Sequence, residues 1–93
     1  MLPNYPSPFN PETWIPYELA AAASVVIEIV DSRGAMIRRL AAGVREAGRY
    51  VGRGRAAHWD GWNDVGESVS GGVYYVTLRA GATVVTRRIV LGK

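Results

Sequence analysis

Residues 73–80 (VYYVTLRA) and 83–91 (TVVTRRIVL) are two runs rich in β-branched and aromatic residues, and Gly81 turns the first into the second. Such runs broken by glycine specify paired strands rather than helix. The same grammar recurs upstream. Residues 25–31 alternate, with Val25, Ile27 and Ile29 on one side and Val26, Glu28 and Val30 on the other. Asp31-Ser32-Arg33-Gly34 has the residues of a tight turn, so 24–41 read as a β-hairpin. Residues 13–19 also alternate, but Pro16 puts that strand at an edge or turns its missing donor away from a neighbour. Residues 57–61 make a short strand ending in a turn, and 63–67 and 70–72 break the chain again. Segment 43–48 reads as loop. The stretch 50–55, with two Gly and two Arg, reads as mobile. The only helix-friendly run, Ala20 to Ala23, is too short to stand as a helix. Six or seven short strands at this spacing predict an all-β sandwich or barrel.

Four of the five prolines lie between positions 3 and 11, so the opening is extended. It either lies along the sandwich or runs on as a linker, and Phe9, the single phenylalanine, is its expected anchor. The division that follows is a Pro-rich lead-in or linker at 1–12 and a β-sandwich domain at 13–93.

Composition narrows the function. A chain of 93 residues is one small domain, too small for a large enclosed cleft. No run approaches the roughly 18 apolar residues of a membrane-spanning helix. There is no cysteine, which removes disulfides, thiolate metal sites and thiol nucleophiles. Residues 1–3 lack the basic and apolar regions of a signal peptide, so the N-terminus does not fix localisation. Ten of eleven basic residues are arginine and the formal charge is +3. The arginines are scattered, with no run longer than two, which argues against nucleic acid as a partner.

No catalytic constellation is legible. His58 is the only histidine and sits in a strand beside Trp59. Ser68 and Ser70 lie in a Gly-rich turn without a nucleophile elbow. Asp60, Asn63, Asp64 and Glu67 offer oxygens to a cation, but their spacing matches no dedicated loop and suits turn residues. The expectation is a non-enzymatic chain with no cofactor, metal or small-molecule substrate. Trp59, Trp62, Tyr74 and Tyr75 could form a sugar-stacking platform. Alternation instead sends Tyr74, Val76 and Leu78 to the core and leaves Tyr75 on the outer face.

Several blocks resemble a known family. Residues 4–19, NYPSPFNPETWIPYEL, are similar to its opening NYPNPFNPxTxIxYxL. Val25 to Gly34 resembles VxIxIYDxxG. Ala47-Gly48-x-Tyr50, Trp59-Asp60-Gly61, Gly66-Glu67 and Ser70-Gly71-Gly72-Val73-Tyr74-Tyr75 resemble AGxY, WDG and GExVASGVYFY. The ending TRRIVLGK resembles TRKMVLxK. These blocks belong to the C-terminal sorting domains of type IX secretion, related to the Ig-like domain of flagellar hook-capping proteins. Departures are Ser7 for the usual Asn, Val30 for an aromatic, an added Gly72, and extra residues at 51–56.

The resemblance implies an Ig-like antiparallel sandwich of about seven strands. It also implies a non-catalytic module that directs export and surface sorting of a larger bacterial protein. The expected partners are outer-membrane secretion machinery and an upstream passenger domain. The expected location is the cell surface or the medium, reached through the periplasm. The alternative is a structural or adhesive assembly domain that self-associates through its N-terminal segment or edge strands; a carbohydrate-binding module comes third. The final hairpin supplies the docking candidates Arg87, Arg88, Lys93 and Tyr75.

Overall fold

The computed structural model describes residues 1–92; Lys93, one of the docking candidates, lies outside the described residues. Eight strands follow in order: β1 Thr13–Ile15, β2 Tyr17–Leu19, β3 Ala23–Asp31, β4 Met36–Arg45, β5 Gly48–Tyr50, β6 Ala57–Trp59, β7 Gly72–Ala80 and β8 Thr83–Leu91. The four long strands make one antiparallel sheet in the order β4-β3-β7-β8, and the short ones pair as β1-β6 and β2-β5 to form the facing layer. This is the expected all-β sandwich, with eight strands against about seven.

Alternation builds the core. Val25, Ile27 and Ile29 of β3 and Tyr74, Val76 and Leu78 of β7 turn inward and are buried. Ile15, Tyr17, Tyr50 and Trp59 from the short strands meet them, with Ile89 and Leu91 from β8. Burial of such side chains stabilises by about 1.5–3 kcal/mol each, which is the main force closing the two layers.

Residues 13–19 are not one strand. Pro16 has no N–H to give a ladder, so pairing is interrupted there and the partner changes from β6 to β5. The Pro16 carbonyl instead accepts from Leu2 N–H at 3.0 Å. The expected loop at 43–48 is also mostly strand. β3 begins at Ala23, so Ala23 and Ser24 find partners in Arg45 and Val44. An irregularity between Val25 and Val26 leaves Ala42 unopposed and keeps both strands in register beyond it. Tyr50, at the head of the stretch expected to be mobile, is buried and closes β5.

The Pro-rich opening lies along the sandwich. Tyr5 and Trp14 exchange both backbone bonds, at 2.9 and 2.8 Å. Phe9 is 1% exposed, with its ring edge against Trp59. The buried Thr13 hydroxyl donates to the Tyr5 carbonyl at 3.1 Å and accepts from Asn4 Nδ2 at 3.0 Å. The Tyr5 hydroxyl donates to the Val51 carbonyl. Gly61 follows β6 with φ +82, and a Cβ there would overlap the Pro11 carbonyl oxygen, so only glycine fits under the lead-in.

The β3–β4 turn carries a pH-dependent element. The Asp31 carboxylate accepts from the N–H groups of Ala35 and Arg33 at 3.0 and 2.9 Å. The Ala35 bond, followed by the Arg33 backbone and side chain, holds this carboxyl below its usual range against partial desolvation. A group whose folded pKa is depressed contributes stability that is complete above its unfolded value and is lost as pH falls through the folded one. The unfolded value for Asp is about 3.9. Asp31→Asn should therefore unfold at lower urea than the wild type near neutrality, with the gap narrowing as pH falls below about 4. A gap that is constant with pH would remove Asp31 from the acid response.

Candidate functional site

β8 forms one edge of the large sheet. At its end, Phe9 N–H donates to the Val90 carbonyl at 3.0 Å and Gly92 N–H donates to the Phe9 carbonyl at 2.7 Å. The lead-in thus covers the edge at a single residue, by a parallel bridge to Leu91. In an antiparallel ladder alternate residues turn both backbone groups to the same side. Arg88, Thr86 and Val84 therefore point theirs outward like Val90, and these groups find no partner among the described residues. The β4 edge differs. There Asp64 N–H donates to the Ile37 carbonyl at 3.0 Å and Asp64 Oδ1 accepts from Arg39 N–H at 3.2 Å, so a turn caps it.

The docking candidates do not form one group. Tyr75 stands opposite Val30 on one side and Arg88 on the other, so Tyr75 and Arg88 share the outer face. Tyr75 is 36% exposed. Arg87 is opposite Val76 and lies on the other face of β8, where the edge leaves it exposed. Successive residues of a strand diverge, so Arg87 and Arg88 cannot clamp one carboxylate together from one face. The four aromatics of the postulated sugar platform are also separated. Trp59 and Tyr74 are core residues, and Trp62 is exposed in the turn beside Arg38.

The acidic residues after β6 serve the turn and β4. Arg38 pairs with Asp60 at 3.1 Å and with Asp64 at 3.5 Å. Asn63 Oδ1 accepts from the N–H groups of Val65 and Glu67, as a turn-forming Asn does. His58 is half exposed, 2.9 Å from a Glu12 carboxylate oxygen and with its ring tilted against Trp14 at 5.0 Å. It ties β6 to the lead-in.

A second charged region escaped the linear reading because its arginines are spaced apart. Tyr17 and Tyr50 stack at 4.8 Å, and the Arg55 guanidinium lies over Tyr50 at 4.6 Å from the ring centre. Arg53 sits over Trp14 at 4.3 Å. Burial pushes the Tyr17 phenol up, opposed by a hydrogen bond from Arg45. Arg45, Tyr50, Gly54 and Arg55 line an open cleft of about 250 Å³. Counting charge over short windows was the available signal.

The fold is an antiparallel Ig-like sandwich whose large sheet leaves most of its β8 edge unpaired among the described residues. The family model for the FlgD Ig-like domain matches residues 11–83, and the chain belongs to that family. Among solved structures, FlgD from P. aeruginosa is similar in fold, with a TM-score of 0.67 and 19% identity over 86% of this chain. The chain spans 60% of the length of that protein. No curated protein matches the sequence. The relation to the hook-capping Ig-like domain thus stands, and with it a structural or assembly class of role.

Proposed function

We propose that this domain is a non-catalytic docking module that directs export and surface sorting of a larger bacterial protein. Outer-membrane secretion machinery is its partner, and the route runs through the periplasm to the cell surface. The observation that carries the docking reading is the open edge of β8, where the outward backbone of Val84, Thr86 and Arg88 can accept an added strand. Backbone pairing supplies affinity. Side chains flanking the edge supply selectivity, with Tyr75 and Arg88 on one face and Arg87 on the other. The sequence blocks shared with type IX sorting domains support the export step.

Family membership favours a second reading, in which the same edge or the N-terminal segment packs against another copy or a neighbouring domain as an assembly module. One experiment separates them. Residues 4–93 are fused behind a periplasmically exported reporter, in hosts with and without the type IX translocon, and reporter outside the cells is measured. Sorting predicts translocon-dependent release that drops several-fold when Arg87→Ala and Arg88→Ala are combined. Retention in both hosts, with the domain folded, defeats sorting and leaves assembly.

A further inference from the structure

The whole formal charge of the chain is concentrated in one segment. Residues 45–55 hold Arg45, Arg49, Arg53 and Arg55 against Glu46 alone, an excess of three, and the rest of the sequence balances. Arg49 is paired with Glu18 at 3.1 Å. Arg45, Arg53 and Arg55 make no ion pair among the described residues, and Glu46 meets Tyr50 only through its backbone carbonyl, at 2.7 Å. Of these three guanidiniums without an ion pair, Arg53 lies over Trp14, and Arg45 and Arg55 line the cleft of about 250 Å³.

We propose that the cleft between Arg45 and Arg55 is a binding site for a phosphate-type oxyanion, either inorganic phosphate or a phosphomonoester. The Arg55 guanidinium carbon lies over the Tyr50 ring at 4.6 Å from its centre, a cation–π contact that restrains the side chain, and its N–H groups make no hydrogen bond among the described residues. A guanidinium fork matches two oxygens of a tetrahedral anion. Arg45 lines the same cleft and supplies a second cation beside the Tyr17 phenol. A phosphomonoester near neutrality carries close to two negative charges, which match the two guanidiniums, whereas a single carboxylate ligand would leave one of them unbalanced. Gly54 completes the wall without a side chain, and a Cβ there would meet nothing within 4 Å, so an anion can approach. The site lies on β4, β5 and the loop that follows, and does not depend on the β8 edge.

The test titrates inorganic phosphate into the full chain at constant ionic strength and follows the amide resonances of Gly54 and Arg55. Saturable shifts are expected. Arg45→Gln and Arg55→Gln should each weaken binding at least about fivefold, because each removes a charge-assisted fork. Arg55→Lys should fall between, since it keeps the charge and loses the fork. Arg33→Gln, which removes an equal charge at the distant β3–β4 turn, should change affinity less than about twofold. A parallel arm pellets phosphatidylcholine vesicles doped with phosphatidate. Capture that inorganic phosphate competes away places the anion on a lipid headgroup, and phosphate binding without capture places it on a soluble molecule. No saturable shift, or equal weakening by Arg33→Gln and Arg55→Gln, overturns the proposal. If one glutamine variant fails to fold, the other and Arg55→Lys decide.

Discussion

A chain begun at Thr13 is expected to lose cooperative unfolding, although every named strand remains in it. The missing residues include Phe9, which is 1% exposed and sits edge-on to Trp59 with ring centres 5.5 Å apart. Removing a buried Phe side chain alone costs about 3–5 kcal/mol. Truncation adds the loss of both Phe9 backbone bonds to the β8 end, the Tyr5–Trp14 pair and the partners of the buried Thr13 hydroxyl. A domain of this size holds about 5–14 kcal/mol in total. Far-UV circular dichroism against urea should show a sigmoidal transition for the full chain and for Phe9→Ala, the latter at a lower midpoint. The truncated chain should show no pre-transition baseline. An unchanged midpoint after truncation would make the first twelve residues a linker.

The two long hairpins were legible because their information is local. Alternation in 25–31 and 73–80 names the buried side, and Asp31-Ser32-Arg33-Gly34 and Gly81 name the turns. The partner exchange at Pro16 was not, because a missing donor says where a ladder stops and not which strand takes over. The extension of β4 through Arg45 was hidden for a related reason. Gly43 reads as a loop signal, yet here it has φ +77 inside an irregular stretch of strand. The Pro-rich lead-in has no periodicity at all, and Phe9 alone hinted that it packs.

The site divides along the same line. Exposure of Tyr75 follows from the period of β7, and the same period sends Arg87 and Arg88 to opposite faces of β8. Adjacency in sequence made them look like a pair; strand geometry makes them flanks of one edge. The reverse holds for Arg45 and Arg55. They are ten residues apart, and only the closing of β5 onto β2 and the stack of Arg55 on Tyr50 bring them to one cleft. Arg53 and Arg55 lie in the stretch 51–56 that departs from the resembling family, so the charge arrives with the insertion.

Trp59→Ala should be the most damaging single substitution, costing about 3–5 kcal/mol. Trp59 has no exposed surface and is the largest fully buried side chain. Phe9 and Tyr74 both present ring edges to it, each with centres 5.5 Å apart, so it joins the lead-in to β7 through β6. Such pairs add about 0.5–1.5 kcal/mol beyond burial. Its indole Nε1 also donates to the Trp62 carbonyl at 2.9 Å. That carbonyl accepts from Arg38 Nη1 at 3.1 Å as well, so Trp59→Phe leaves it partnered. Trp59→Phe should therefore cost clearly less than Trp59→Ala, chiefly the lost volume and about 1 kcal/mol for the bond. Urea denaturation of Trp59→Ala, Phe9→Ala and the double variant measures the coupling. Because the rings touch, the two losses should fall short of additive by about 0.5 kcal/mol or more. Strict additivity would mean that the lead-in and the β6–β7 core are held independently.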